Sequence, residues 1–257
     1  MQKRYKELLI TDEMHIAQEA RKKGEYVVLC YPLADCVPTG DIEHGSIART
    51  HEEACDMSVF PYAVENAEEL DETYLDHVLC RLKGIPCHIL DTERCRVREI
   101  TPEDVDRLYE IYADPQITKY MENLYESRED EIAYTKDYIR CHYGFYDFGM
   151  WIVEDKKNGK IIGRAGFDMR EGYEEPELGF MICRNYQQKG YAGEVCGALL
   201  SYGKKQLGFE KVGSFTNPEN TASVRLLCRL GFSYQSMHVV NSVKEDRQKL
   251  AYYQKVL

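Results

Sequence analysis

The chain has 257 residues, 44% hydrophobic and 30% charged, enough to bury a sizeable core in one large and one small domain. Its net charge of −11 is uneven: residues 1–94 hold 10 Lys and Arg against 19 Asp and Glu, the remainder 23 against 25. Nucleic-acid binding by the acidic part is disfavoured, because phosphate contacts need clustered basic residues, and no apolar run approaches the ~18 residues that span a bilayer.

Residues 7–11 predict a short strand, 12–23 a capped helix closed by Gly24, and 25–30 a second strand. Residues 32–49 have turn composition, 57–64 offer a third strand, 67–82 a helix and 86–90 a strand. The order predicts a small Rossmann-like α/β unit over residues 1–91, half of a doubly wound sheet. Leu8-Leu9-Ile10-Thr11-Asp12, with Ala17, Ala20 and Gly24, is similar to the later half of a haloacid-dehalogenase-like domain. That family's early Asp-x-Asp nucleophile motif is absent, so a structural, dimerising or regulatory role is expected, with a homodimer left open. Ten cysteines are scattered without a Cys-x-x-Cys pair, and Cys30, Cys36, His44, His51 and Cys55 fit no usual zinc spacing. Reduced thiols, no metal and, with no apolar signal segment at the start, a cytoplasmic location are the expectation.

From residue 92 to 257 a second domain is expected. Residues 95–100 predict a strand, 102–113 and 128–142 helices, and 149–154 and 160–169 two strands joined by Asn158-Gly159, a strong hairpin signal. The apolar strand 178–183 runs into Gln187-Gln188-Lys189-Gly190-Tyr191-Ala192-Gly193 and then a helix. Glycines there let backbone N–H groups approach a ligand, and the helix start adds unpartnered N–H groups at the positive end of its dipole. An anion site suited to a pyrophosphate is therefore predicted. Lys189 precedes the glycine, so the segment is no P-loop, and Gly190, Ala192 and Val195 match the dinucleotide fingerprint poorly. Residues 211–216 predict a strand, and Asn217-Pro218 an N-cap with Pro at the first helical position. Gly231 ends that helix and Phe232 opens another strand.

Gln187, Gly190 and Ala192 fill the coenzyme A loop pattern of the GCN5-related N-acetyltransferases (GNAT), which the segment resembles. The run from Asn220 through Ser223 to Gly231-Phe232 is similar to the superfamily's second signature. Thr92 to Glu99 and Asp114 to Met121 resemble the opening of its ribosomal-protein N-terminal acetyltransferase branch. The resemblance covers about residues 90–257 and implies a mixed sheet flanked by helices, with acetyl-CoA as cosubstrate.

By that resemblance Phe180, Met181 and Ile182 hold the pantetheine arm, and Gln188, Lys189, Gly190, Tyr191, Ala192 and Gly193 cradle the pyrophosphate, with Gln187 ordering the loop. Asn220 reaches the pantetheine arm through its amide. Acetyl transfer needs a neutral amine and a proton for the departing thiolate. Glu177 alternates with Gly179 and Met181 on one strand face, so its carboxylate is the candidate base, with an Arg-paired strand-end role as the alternative. Glu174 and Glu175 are runners-up, and Glu194 in the helix's first turn is read as a dipole partner. Many relatives carry a Tyr acid where this chain has Leu227; Ser223 is the matching residue for the branch's serine acid, and Tyr202 is a second choice. Cys183, Cys196 and Cys228 are expected in the core, which favours direct attack in a ternary complex over an acetyl-cysteine.

For the acceptor, Glu122, Glu126, Glu129, Asp130 and Glu131 suit a cationic amine, residues 143–151 offer aromatic walls, and residues 170–177 an acidic loop. An amine-bearing small molecule or a protein N-terminus is the expected partner. The rival function is an acyl-CoA-binding sensor with little turnover, and a phosphatase centred on the first unit is not expected.

Overall fold

The computed structural model describes residues 2–30, 60–64, 66, 70–240 and 248–257, divided into two units, Met1–Ile85 and Pro86–Leu257. The sequence-predicted turn 32–49 lies outside the described residues, as do Cys36, His44, His51 and Cys55 and the proposed strand residues 57–59.

In the first unit, β1 (Gln2–Tyr5), β2 (Leu8–Thr11), β3 (Tyr26–Cys30) and β4 (Ala63–Val64) form a sheet in that order, parallel except for the β1–β2 pair. Every residue of β2 is buried, as an apolar run covered on both faces must be. Leu8, Ile10, Val28 and Cys30 pack with Leu75, Val78 and Leu79 of helix α2 (Glu72–Leu82). Leu9, Val27 and Leu29 pack on the other face with Ala17 and Ala20 of helix α1 (Met14–Lys22).

Three expectations change here. β1 was not predicted, because Gln2-Lys3-Arg4 is exposed and polar, as edge strands often are. Asp12 does not cap α1; Glu13 stands at the N-cap without a side-chain bond, and its N–H is donated to the Thr11 hydroxyl at 3.1 Å. Asp71 caps α2 by accepting the Tyr74 N–H at 2.7 Å, so that helix starts at Glu72.

The second unit holds an eight-stranded sheet. Its elements are β5 (His88–Asp91), β6 (Cys95–Arg98), helices α3 (Val105–Tyr112), α4 (Pro115–Thr118), α5 (Arg128–Asp137) and α6 (Gly144–Tyr146), then strands β7 (Met150–Asp155), β8 (Lys160–Asp168) and β9 (Glu177–Ile182). Helix α7 (Tyr191–Lys205), β10 (Lys211–Thr216), helix α8 (Thr221–Arg229), β11 (Ser233–Val240) and β12 (Gln248–Val256) complete it. The strand order is β11-β12-β10-β9-β8-β7-β6-β5. All neighbours run antiparallel except β9 and β10. β5 is the strand expected at 86–90, and it pairs with β6 at the edge of this sheet rather than closing the small unit.

One face of the sheet carries α7. Trp151 and Phe167 are fully buried there, Phe167 stacks edge-on against Trp151 and Phe209, and Tyr202 meets Trp151 at 5.8 Å. A side chain at Gly203 would come within 3.1 Å of the Phe167 ring, so the glycine sets how closely α7 approaches. Near the sheet's other end Arg98, from β6, forks onto Asp104 at 2.7 and 2.8 Å and onto Glu154 at 2.7 Å, while Asp104 closes a capping box with Thr101. Among the described residues no helix is long and apolar enough to cross a membrane.

Candidate active site

β9 and β10 are parallel neighbours that pair at one position, Glu177 with Gly213. The Gly213 N–H is donated to Pro176 O at 2.9 Å and the Ser214 hydroxyl to Leu178 O at 2.9 Å; beyond that the strands part. The β9 edge facing the gap is partly closed again at its far end, where Gln187 Nε2 donates to Ile182 O at 2.8 Å. Strand alternation puts the N–H and C=O of Phe180 on this same edge, between the two occupied carbonyls. The gap opens into a cleft of about 1010 Å³, at the upper end of the ~300–1,000 Å³ of small-molecule sites. Phe180, Met181 and Ile182 all line it.

The loop that follows lies at the cleft's edge. Gln188 (φ 58°) and Gly190 (φ 87°) are left-handed, and the turn delivers the chain into α7 with Gly190 as N-cap. Among the described residues, no hydrogen bond uses the main-chain N–H of Gln188, Lys189, Gly190, Tyr191, Ala192 or Gly193; the first one engaged is that of Glu194, to Gly190 O at 3.0 Å. Gln187, Gln188, Gly190, Tyr191, Ala192 and Gly193 line the cleft. The Lys189 side chain does not, since its ammonium is donated to Asn185 O at 2.7 Å.

Arg94, unnoticed in the sequence, braces this loop. Its Nε is donated to Glu194 at 2.6 Å and NH1 to Lys189 O at 3.0 Å, and its guanidinium lies 4.1 Å from the Tyr191 ring centroid. Glu194 also accepts the Arg94 N–H at 2.8 Å and the Thr92 hydroxyl at 2.6 Å, so it fastens the helix start to the entry of β6. Burial acts to raise the Glu194 pKa, but the bonds from Thr92 and Arg94 outweigh it and hold the carboxyl below its ordinary value. Glu194 does sit in the helix's first turn, as the dipole reading expects, and a three-donor clasp is added to it. Nothing in the local sequence signals it, because its partners lie about 100 residues upstream.

Glu177 lines the cleft at the point where β9 and β10 separate. Its Oε2 accepts Arg170 Nε at 2.7 Å and its Oε1 the Phe215 N–H at 3.4 Å. Burial pushes its pKa up, with Arg170 opposing. The Arg-paired alternative and a place in the cleft therefore hold together. Arg170 stacks over Phe215 at 4.8 Å, which fixes the guanidinium. Glu174 and Glu175 do not line the cleft, and Glu175 accepts Gln254 Nε2 at 3.0 Å instead.

On the opposite wall Asn220, not Asn217, caps α8, accepting the Ser223 N–H at 3.3 Å. Asn217 instead folds its carboxamide onto the Glu219 N–H at 2.9 Å, closing a turn that delays the helix. Asn220 and Ser223 line the cleft, with Leu227 fully buried beside them; Tyr202 does not. Cys183 and Cys196 are buried, and burial pushes the Cys196 thiol up to about 12. Cys228, expected in the core, is exposed, because it falls on the solvent side of α8.

The acceptor expectations change most. Of the five acidic residues at 122–131 only Glu122 lines the cleft. Glu131 is 3% exposed and accepts the Tyr125 N–H at 2.9 Å, while Glu129 and Asp130 sit in the first turn of α5, where negative charge suits the dipole. In residues 143–151, Tyr143 and Trp151 are core, Phe145 is 81% exposed, and only Met150 reaches the cleft. Cationic side chains, among them Lys119, Arg164 and Arg170, line the cleft as well.

This architecture is matched elsewhere. The family described as an acetyltransferase (GNAT) domain matches residues 94–233. The chain is 28% identical over 152 residues to the uncharacterized N-acetyltransferase YoaA of Bacillus subtilis, covering 58% of this chain and 85% of that protein. It is 26% identical over 162 residues to the ribosomal protein uS5 alanine N-acetyltransferase of Escherichia coli, covering 58% and 80%. The structure of RimL, a ribosomal L7/L12 α-N-protein acetyltransferase in complex with coenzyme A, shares the fold with a TM-score of 0.55 at 14% identity, over 66% of this chain and 98% of that one. The splayed strands, the unused loop amides and the extent of the family match agree, and the chain belongs to the GNAT acetyltransferases, acetyl-CoA-dependent enzymes that acylate amines.

Proposed function

We propose that this protein is an N-acetyltransferase acting on a primary amine by direct attack in a ternary complex, with Glu177 as base. The observation that carries this reading is the single-pair seam between β9 and β10, flanked by six loop amides without internal partners. Bound acetyl-CoA supplies a thioester. Phe180, Met181 and Ile182 offer a strand edge for the pantetheine arm, Asn220 its free amide nitrogen, and the amides of Gln188 through Gly193 bind the diphosphate, ordered by Gln187 and Arg94. In this reading the Lys189 side chain makes no phosphate contact and contributes its main chain only.

The amine must be neutral to attack. Glu177 takes the proton lost by the amine nitrogen as the new C–N bond forms, and its raised pKa makes it a stronger acceptor than an exposed carboxylate. When the C–S bond breaks, the Ser223 hydroxyl protonates the sulfur and regains its proton from solvent. Support for a primary amine, on a small molecule or a protein N-terminus, comes from the names of the relatives. We assign the first unit a structural, dimerising or regulatory role. The eight free cysteines among the described residues suit a reducing cytoplasm.

The test is calorimetry with acetyl-CoA followed by thiol release across an amine panel, with wild type and Glu177→Gln. Binding together with amine-stimulated release supports the reading. Tight binding without release by any amine makes the protein an acyl-CoA sensor, and no binding heat removes the cofactor site altogether.

A further inference from the structure

The face of β8 and β9 that carries Glu177 also carries an arginine without a counter-charge. Register sets Arg164 opposite Met181, Gly166 opposite Gly179 and Asp168 opposite Glu177, and directly opposed residues share a face. Arg164 and Glu177 therefore stand on one surface, four positions apart along the strands, roughly 13 Å at ~3.3 Å per residue. The two glycines between them, Gly166 and Gly179, are covered by the start of β7: an added Cβ would run into the Gly149 carbonyl at Gly166 and would lie 3.0 Å from the Met150 sulfur at Gly179. Both Arg164 and Glu177 line the cleft.

Arg164 is surrounded by Tyr112, Tyr138 and Tyr143, with Tyr112 in hydrogen-bonding reach, and its Nε is buried without a partner. Among the described residues no carboxylate lies within ion-pair distance of it, whereas Arg170 is paired with Glu177. A guanidinium keeps its charge at any ordinary pH, and an enclosed charge without a counter-ion is unfavourable unless something supplies one. Its planar fork matches a carboxylate with two parallel hydrogen bonds.

We propose that Arg164 binds a carboxylate of the acceptor, so that the substrate carries an anionic group on the same molecule as its nucleophilic amine. The inference rests on the transferase reading and deepens it: the amine faces Glu177, the carboxylate faces Arg164, and the connecting atoms run past Met150, which lines the same cleft. A free amino acid and a peptide with an acidic residue near its N-terminus both have this chemistry.

The experiment measures acetyl-CoA thiol release with matched acceptors. One arm compares free amino acids with their amides, the other a peptide with aspartate at its second position and its asparagine counterpart. The carboxylate member is expected to win by about tenfold or more in kcat/KM in one arm, which identifies the source. Arg164→Gln is expected to abolish that preference through KM while acetyl-CoA affinity reports an intact fold; should it fail to fold, Arg164→Lys and the wild-type preference decide. Equal turnover of carboxylate and uncharged partners in both arms overturns the proposal alone. A wild type that binds acetyl-CoA but turns over no amine of any charge overturns the transferase reading and this inference with it.

Discussion

At the scale of single residues, Glu177 carries two burdens. It is an ion-pair partner of Arg170 and a carboxylate lining the cleft at the point where the strands part. If it is the base, Glu177→Gln lowers kcat/KM by roughly 10²–10⁴-fold and leaves the acetyl-CoA Kd unchanged, as steady-state kinetics and calorimetry will read. The sign of the pH effect follows from burial. The folded pKa lies above 4.5, the active form is deprotonated, and activity rises with pH through that value. The glutamine variant should lose this acid limb. Gly190 makes a second residue-scale case. Its φ of 87° is unfavourable for any L side chain by roughly 1–2 kcal/mol, and an added Cβ would lie 3.3 Å from Arg94 NH2. Gly190→Ala should therefore weaken acetyl-CoA binding about tenfold and lower Tm, with amine KM unaffected.

At the scale of elements, the α7 start depends on a clasp rather than on its own cap. Glu194 gathers Thr92 and Arg94 from the approach to β6, and Glu194→Ala should weaken acetyl-CoA binding by about tenfold in calorimetry. Because this carboxyl is held below 4.5 in the folded protein, its contribution is complete above that pH and is lost as pH falls through the depressed value. Legibility in the sequence divides along the same line. Local patterns carried far: the strand Lys211–Thr216 is predicted to the residue, and the glycine-bearing loop before α7 is visible because φ > 0 and a helix start both leave residue signatures. What depended on distant partners was invisible. Arg94 and Glu194 meet across the fold, Arg164 reads as one more strand residue until Met181 is set opposite it, and the acidic run at 122–131 looked like a binding surface until Glu131 was seen to be buried. Asn217 misled for a local reason, since its carboxamide serves a turn as readily as a cap.

For the whole molecule, each unit has its own buried apolar residues, and the division by contacts falls after Ile85. β5 matters here: it pairs with β6, and Cys87 and Glu99 exchange main-chain and side-chain bonds at 2.9 and 3.3 Å. A fragment beginning at Pro86 should retain acetyl-CoA binding and melt higher than one beginning at Thr92, which strips an edge from the sheet; thermal scans of the two fragments check this. The seam has its own consequence. With a single rung joining them, β5 to β9 and β10 to β12 are two rafts moored at one post, and a strand-like guest sliding between them would act as the missing plank. The cosubstrate is then also a structural member, and amide exchange should slow on both banks, at Phe180 and at Phe215, when acetyl-CoA is added.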